Sequence, residues 1–204
     1  ENLSVAGPTW AMENAFVTPK PRFGRPVLVN ASGSKAGIAY AVKHSDVVFI
    51  TSPTGNQLAD AKESLPAHTS AIRAAAGEIG REVRTIINPM VICRPTEKEA
   101  LAYRDAIVAA GDEVAIENFA AHFKVGDAQS WAKQRRQNPA IGGNLHLVGS
   151  PEQIVDGFKT LKALGCDGVQ VTFFDFAPDL EYFGQAVLPL MHQAGLRVSL
   201  PSGT

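Results

Sequence analysis

One turn of the sequence has the residue types and the position to bind an anion. It reads Ser32-Gly33-Ser34-Lys35-Ala36-Gly37 and lies between an apolar run typical of a strand and a pattern typical of a helix. Backbone N–H groups at the start of a helix, with the positive end of its dipole, favour a phosphate group, and glycines let the backbone approach it closely. The spacing matches neither a P-loop nor a dinucleotide-binding fingerprint, so a turn that only caps the helix is the alternative interpretation.

The next turn along the chain is the second candidate. Thr51-Ser52-Pro53-Thr54-Gly55-Asn56 follows another strand pattern and is small and polar. In barrel enzymes the loops that follow the strands meet at one face and build the active site. Thr51 is therefore a candidate binding residue beside the first turn, and an ordinary surface loop is the alternative.

His146 and Asp175 are the candidates for proton transfer. His146 follows Gly142-Gly143-Asn144, from which it could reach a ligand as a hydrogen-bond donor or general acid, although a structural histidine would give the same pattern. Asp175 ends a strand pattern after Phe173-Phe174. Its carboxylate could be catalytic or could cap the next helix. The two aromatic rings could line a cofactor or an apolar substrate, or could pack in the core.

The composition argues against several other kinds of site. With 19 Lys and Arg against 20 Asp and Glu, the formal net charge is −1, so no basic surface for nucleic acid is expected. No apolar run approaches the roughly 20 residues of a membrane helix. Cys93 and Cys166 form neither a metal-ligand spacing nor a disulfide framework. We therefore predict no metal site and a reducing, cytoplasmic setting.

Four apolar runs predict strands, and each precedes a helical pattern. No hairpin signal separates them, which predicts right-handed crossovers and a parallel sheet of α/β class. Runs this apolar are typical of strands that are buried on both faces. Four such units make half of a (β/α)8 barrel, and an open four-stranded sheet is the alternative. The predicted strands are 26–31, 46–50, 86–93 and 168–174.

Prolines and caps modify these elements. Pro66 should break or kink the helix predicted over 57–79, and Pro89 should bulge or shorten the third strand. Ser150-Pro151-Glu152-Gln153 combines the N-cap serine, the N1 proline and the N3 glutamine of a strong helix start. The buried stripe expected along the long helix consists of Leu65, Ile72, Ala76 and Ile79.

One folded unit with an extension at each end is expected. Residues 1–25 are predicted to be an extended lead-in, 26–195 the folded unit and 196–204 a tail. Within the unit, residues 112–145 are long for a plain connection and predict a lid or binding loop. The helical stretches expected inside this loop are 113–123 and 128–137.

Several stretches follow one another in a recognisable order. They read RPVLVNASGSKAG at 25–37, AVKHSDVVF at 41–49, VGSPEQIV at 148–155, GVQVTF at 168–173 and AVLPLM at 186–191. Together they resemble the bacterial luciferase-like flavin-dependent monooxygenases, and the resemblance extends from about Trp10 to Met191. Asp175-Phe176 and Glu181-Tyr182-Phe183 lean toward the branch with pyrimidine oxygenase and the sulfone and alkanesulfonate monooxygenases.

The resemblance implies a TIM barrel that oxygenates a small organosulfur or nitrogen-heterocyclic compound. Reduced FMN would come from a separate NAD(P)H-dependent flavin reductase, and dioxygen would be the co-substrate. In this family the turn after the fifth strand contacts the FMN phosphate, and it maps onto Ala31, Ser32, Gly33 and Ser34. The family's lid corresponds to residues 112–145.

The family's first four strands have no counterpart in this sequence, because residues 1–25 cannot form four strand–helix units. The chain is therefore expected to be the C-terminal half of the barrel. Either a separate N-terminal half or a second copy in a homo-oligomer would complete the barrel, or the fold has adapted as a small flavin-binding or interaction module. A non-catalytic flavin-binding or assembly module is thus the alternative function, and an α/β domain that binds another phosphate is the third.

Overall fold

The computed structural model describes residues 4–13, 22–125, 140–142 and 145–197. The strands are β1 (Val5–Ala6), β2 (Ala11–Met12), β3 (Val29–Ala31), β4 (Val47–Ile50), β5 (Arg84–Ile87), β6 (Pro89–Cys93), β7 (Leu145–Gly149) and β8 (Gly168–Val169). The helices are α1 (Lys35–His44), α2 (Leu58–Gly77), α3 (Glu97–Ala109), α4 (Glu113–Val125), α5 (Pro151–Ala163), α6 (Phe176–Tyr182) and α7 (Leu188–Gln193), with a π-helical turn (Phe183–Val187) between the last two.

The main sheet has the order β3-β4-β5-β8, and all its pairs are parallel, which confirms the predicted parallel sheet. Ala31 lies opposite Phe49, and Ile50 lies opposite Ile87. The carboxyl ends of neighbouring strands therefore meet at one edge. A second parallel pair, β6-β7, continues beyond β5, while β1 and β2 form a separate antiparallel pair near the start of the chain.

The strand predicted over 86–93 is divided at Asn88, as expected from Pro89. Proline has no N–H to donate to a ladder, so the pairing changes there. Before the division, β5 pairs with β4 and β8; after it, β6 pairs with β7. The carbonyl of Pro89 still accepts a hydrogen bond from the Thr172 N–H at 2.9 Å, so the strand direction is kept.

Helix α2 runs through Pro66 without a break, so the predicted interruption does not occur. Pro66 lies on the exposed side of the helix, as does Lys62, whose carbonyl loses its helical partner. Water can satisfy that carbonyl, which lowers the cost of the missing N–H. The buried stripe includes Leu65, Ile72 and Ala76. Ile79 was predicted to belong to it but lies beyond the helix end and is 50% exposed.

Only one face of the main sheet is buried by the described residues. Val48, Ile50 and Ile87 point into the core formed with α1, α2 and α5 and are at most 1% exposed. Their neighbours along each strand point the other way, because side chains alternate. Val29 on that side is 53% exposed. We call this side the open face; it carries Val29, Ala31, Val47, Phe49, Thr51, Ile86, Asn88, Gln170, Thr172 and Phe174.

The expectation of strands buried on both faces is therefore wrong for the main sheet. A parallel sheet is buried twice only when a second layer covers it. The three helices supply one layer. Beyond Asn88, α3 does cover the second side, where Met90, Ile92, Ile107 and Ile141 form a small core of their own.

Strand β7 was not predicted, and the last predicted strand is shorter than expected. His146 interrupts the apolar run of β7, which made this segment resemble the end of a loop. Only Gly168–Val169 of the stretch 168–174 forms a strand, although the Gln170 N–H still donates to the Ile87 carbonyl at 2.9 Å. Helix α4 matches the helical pattern predicted over 113–123. The pattern predicted over 128–137 lies outside the described residues.

Candidate functional site

The turn between β3 and α1 holds backbone donors that the helix cannot use. Ser34 is the N-cap of α1, and its hydroxyl accepts the Gly37 N–H at 3.0 Å. The amides of Lys35 and Ala36 occupy the first helical turn, where no carbonyl of the helix can reach them. Two N–H donors and the positive end of the dipole therefore face an exposed turn.

The lack of a side chain at Gly37 lets two serine hydroxyls lie close to the start of the helix. A Cβ at this position would lie 3.0 Å from both the Ser32 hydroxyl and the Ser34 hydroxyl. The Ser32 hydroxyl donates to the side-chain oxygen of Asn30, which fixes its position at the end of β3. The Ser34 O–H and two free amides at the start of the helix are a donor set that fits a phosphate group. The residues present therefore fit the phosphate of FMN.

Thr51 lies at the same edge of the sheet as this turn. It follows β4, as the Ala31–Ser34 turn ends β3, and it belongs to the open face. Ser52 points the opposite way, is 3% exposed and has its hydroxyl 3.4 Å from that of Ser64. The structure thus brings the five predicted binding residues to neighbouring strand ends.

His146 is enclosed within the protein. It is 5% exposed in β7, and its Nε2 lies 3.0 Å from the Gly142 carbonyl and 3.4 Å from the Asn56 side-chain nitrogen. Burial holds the pKa of His146 below its usual value; the hydrogen bond to the Gly142 carbonyl partly opposes this shift, and the charge of Arg104 adds to it. The neutral ring therefore donates through Nε2 to a carbonyl, which is a structural contact.

Asp175 is exposed at the start of α6, and its side chain makes no capping hydrogen bond. The Asp179 carboxylate accepts the Asp175 N–H at 3.2 Å. No hydrogen bond joins Asp175 to His146 in the described part of the chain. The two predicted catalytic residues therefore lie in different surroundings: Asp175 is exposed, and His146 is buried.

The two aromatic residues before Asp175 have different surroundings. Phe173 is 6% exposed and packs edge-on against Phe183, with ring centroids 5.4 Å apart, so it belongs to the core. Phe174 is 48% exposed and borders an apolar groove of about 790 Å³. The groove lies between α3 and α4, and its other apolar walls include Tyr103, Ile107, Ile116 and Ile141.

Asn88 and Thr172 are further candidate residues that the sequence did not reveal. The Asn88 side-chain nitrogen donates to the Gln170 carbonyl at 2.7 Å and to the Thr172 hydroxyl at 2.6 Å. Both side chains lie on the open face between Thr51 and Phe174. A polar residue between the apolar pairs Ile86-Ile87 and Pro89-Met90 was the available signal.

A partly buried ion pair supports this edge of the sheet. Arg94 follows β6, and its guanidinium lies 2.9 Å from the carboxylate of Asp179, which is 5% exposed. The same guanidinium lies over the Tyr103 ring at 3.7 Å from its centroid. These contacts connect β6, α3 and α6, the elements that lie beside the groove bordered by Phe174.

A family model decides the classification. The model described as luciferase-like monooxygenase matches residues 1–168, well over half of the chain. The chain belongs to the luciferase-like monooxygenase family. The resemblance drawn from the sequence is confirmed at the level of the family.

Curated relatives extend well beyond the part that this chain matches. An FMNH(2)-dependent dimethylsulfone monooxygenase of Pseudomonas fluorescens (strain Pf0-1) is 32% identical over 202 residues, which cover 95% of this chain and 53% of that protein. A pyrimidine monooxygenase RutA of Stutzerimonas stutzeri (strain A1501) is 29% identical over 194 residues, 91% of this chain and 51% of that protein. The chain thus spans about half the length of the curated relatives it matches.

This chain also spans about half the length of similar solved structures. DmoA from Hyphomicrobium sulfonivorans superposes with a TM-score of 0.72 at 17% identity, over 98% of this chain and 48% of that one. A riboflavin lyase solved with modified FMN and riboflavin gives 0.73 at 20% identity, over 98% and 50%. Identities this low establish the fold alone, an α/β arrangement shared with luciferase-like monooxygenase structures.

Other chemistry has no support among the described residues. No group of three His, Cys, Asp or Glu side chains there could hold a metal ion. Cys93 and Cys166 are buried free thiols, and burial raises their pKa values to about 12 and about 11. In the same part of the chain, no helix has both the length and the apolar character to cross a membrane.

Proposed function

We propose that this chain is the C-terminal half of an FMN-dependent (β/α)8 monooxygenase. Its substrate would be a small organosulfur or nitrogen-heterocyclic compound. The observation that carries this proposal is the Ser32–Ser34 turn, with two free amides and the Ser34 hydroxyl at the carboxyl edge of a parallel sheet. Membership of the family and the names of the relatives support the choice of FMN as the phosphate ligand.

The residues of this chain would act by binding and positioning. The turn from Ala31 to Ser34, with Thr51 beside it, would hold the phosphate. When bound, reduced FMN supplies the electrons with which dioxygen oxygenates the substrate. The groove beside Phe174 would keep water from the reacting groups. Asp175 is the predicted catalytic residue exposed at this edge, and we propose it as a proton acceptor; His146 stays a prediction.

A separate NAD(P)H-dependent reductase would supply the reduced flavin. The residues proposed to bind FMN lie at one edge of the sheet. The name of the FMNH(2)-dependent relative implies a two-component arrangement. We also propose a cytoplasmic setting, because both cysteines are free thiols.

The open face supports the half-barrel part of the proposal. Its apolar side chains would line a barrel interior once a second set of strands covered them. A complementary N-terminal half would supply those strands; a second copy of the chain is the alternative cover. Until the face is covered, we expect the isolated chain to show little oxygenase activity with reduced FMN, and robust turnover would contradict this expectation.

A fluorescence titration with FMN tests the phosphate site. Ser34→Asp keeps an N-cap acceptor for the Gly37 amide but adds a negative charge to the turn. We expect saturable quenching by the unaltered chain at micromolar FMN. The variant should bind roughly tenfold more weakly or worse, since like charges at this range repel by about 1–4 kcal/mol. Ser150→Asp, the same change at the N-cap of α5, is the matched control.

Equal affinities of the two variants would remove the turn from the site. The second test is a reductase-coupled oxygenation assay in the presence of a complementary N-terminal half. If FMN binds but no oxygenation is seen there, a non-catalytic flavin-binding module describes this chain better than a monooxygenase half. The uncovered open face is the observation that keeps this second function under consideration.

A further inference from the structure

Asn88 and Thr172 each have one polar atom that no residue of the described structure satisfies. The two hydrogens of the Asn88 amide nitrogen are taken by the Gln170 carbonyl and the Thr172 hydroxyl, which leaves the Asn88 Oδ1 without a donor. Thr172 accepts through its hydroxyl oxygen, so its own O–H proton is left without an acceptor among the described residues. One acceptor and one donor therefore stand side by side.

The orientation of the Asn88 amide follows from its partners. A carbonyl can only accept, so the group 2.7 Å from the Gln170 oxygen must be the amide nitrogen. Turning the amide over would set two oxygens against each other. The free acceptor is thus fixed on the side away from Gln170.

Both side chains are half-buried on the open face. Asn88 directly follows β5, and Thr172 lies beyond β8, where it pairs with Met90 of β6. Thr51 lies on the neighbouring strand, since Ile50 and Ile87 are opposite each other. The phosphate turn lies one strand further, about 10 Å from β5 at the usual strand spacing. A ligand held at this edge would therefore meet the pair.

We propose that the Asn88–Thr172 pair binds the adjacent N–H and C=O groups of a cyclic amide or imide. The Asn88 Oδ1 would accept from the ring N–H, and the Thr172 hydroxyl would donate to the ring carbonyl. This inference rests on the proposed function and narrows its substrate class. A sulfone offers only acceptor oxygens, so it would leave the Asn88 oxygen unpaired, which costs affinity.

Two molecules could present such a ring edge: a pyrimidine-dione substrate or the pyrimidine ring of the flavin itself. The chemistry recognised is the same in both. Separate titrations with uracil, FMN and dimethyl sulfone distinguish them.

The test follows the side-chain amide signals of Asn88 by two-dimensional NMR of the ¹⁵N-labelled chain, assigned by their loss in Asn88→Asp. We expect millimolar uracil to shift these signals in a saturable manner. Thr172→Val should weaken this binding roughly fivefold, the loss of about one hydrogen bond, and Thr172→Ser should restore it. Thr160→Val, which removes a hydroxyl from α5, should leave it unchanged.

Shifts of the Asn88 signals by FMN but not by uracil would support the pair with the flavin ring as its ligand. The inference is overturned if neither molecule shifts these signals, if dimethyl sulfone shifts them as strongly as uracil, or if Thr172→Val binds like the unaltered chain. Because FMN quenching reports the turn at Ser34, failure of the phosphate site and failure of this pair are separate results.

Discussion

His146 gives the protein a pH dependence that can be measured at one residue. Burial lowers its folded-state pKa, so on acidification the unfolded chain takes up a proton before the folded chain does. The free energy of unfolding should therefore fall as the pH drops below about 6.5, the usual histidine value. His146→Gln keeps a donor for the Gly142 carbonyl and should flatten this fall.

Urea denaturation between pH 7.5 and 5 measures the effect. The same replacement at His44, which is exposed at the end of α1, serves as the control and should keep the slope of the unaltered chain. His68 is also half-buried with a lowered pKa, so some slope should remain in His146→Gln. An unchanged slope in this variant would show that His146 is not held neutral.

Residue types in local patterns could be predicted, but partners far along the chain could not. Ser150 is the N-cap that its neighbours predicted, because its side chain bonds an amide three residues away. Asn88 and Thr172 were missed because 84 residues separate them. Nothing in the local sequence of either shows that its partner exists.

At the scale of elements, the Arg94–Asp179 pair connects β6 and α6. Asp179→Asn should cost about 3 kcal/mol of unfolding free energy, because it leaves the Arg94 charge without its partner in a partly buried site. Combined with Arg94→Met, the loss should be clearly smaller than the sum of the two single losses.

Chemical denaturation of the two single variants and the double variant measures the coupling. Lys159→Met breaks the exposed pair with Asp156 and is the control, with an expected loss below about 1 kcal/mol. Additive losses at Arg94 and Asp179 would mean that the ion pair does not hold these elements together.

The effect of a proline on an element could be predicted where the missing N–H alone decides it. Pro89 divided its strand because a ladder needs the missing N–H, whereas Pro66 left α2 intact because its side of the helix faces water. The strand containing His146 was missed because only tertiary burial, by α3 and the second core, makes a histidine acceptable there.

At the scale of the whole molecule, we expect the open face to cause self-association of the isolated chain. Val29 is 53% exposed among other apolar side chains of that face. We expect concentration-dependent self-association in light scattering and binding of a hydrophobic dye, both reduced by Val29→Lys. Val114→Lys is the control, because Val114 is 67% exposed on α4, away from the sheet.

A monomeric chain that binds no dye would contradict an exposed apolar interior. Equal effects of the two lysine variants would place the contact elsewhere. In either case, the half-barrel proposal would lose its structural support.

The parallel α/β architecture could be predicted because strand and helix patterns alternate. Which face of the sheet is left uncovered could not be predicted. A strand such as the one ending at Ala31 has the same composition whether the layer that covers it belongs to the same chain or not. Sequence patterns indicate which side chains are apolar and therefore favour burial, but they do not indicate which part of which chain buries them.

The division of the strand at Asn88 also gives the site a direction. β4 is last paired at Ile50, but the backbone that passes Ile87 continues through β6 to Cys93, a further rise of about 20 Å. The rim is therefore a step, high at β6 and low at β3. Among the described residues, the approach to this edge is therefore lowest across the Ser32–Ser34 turn.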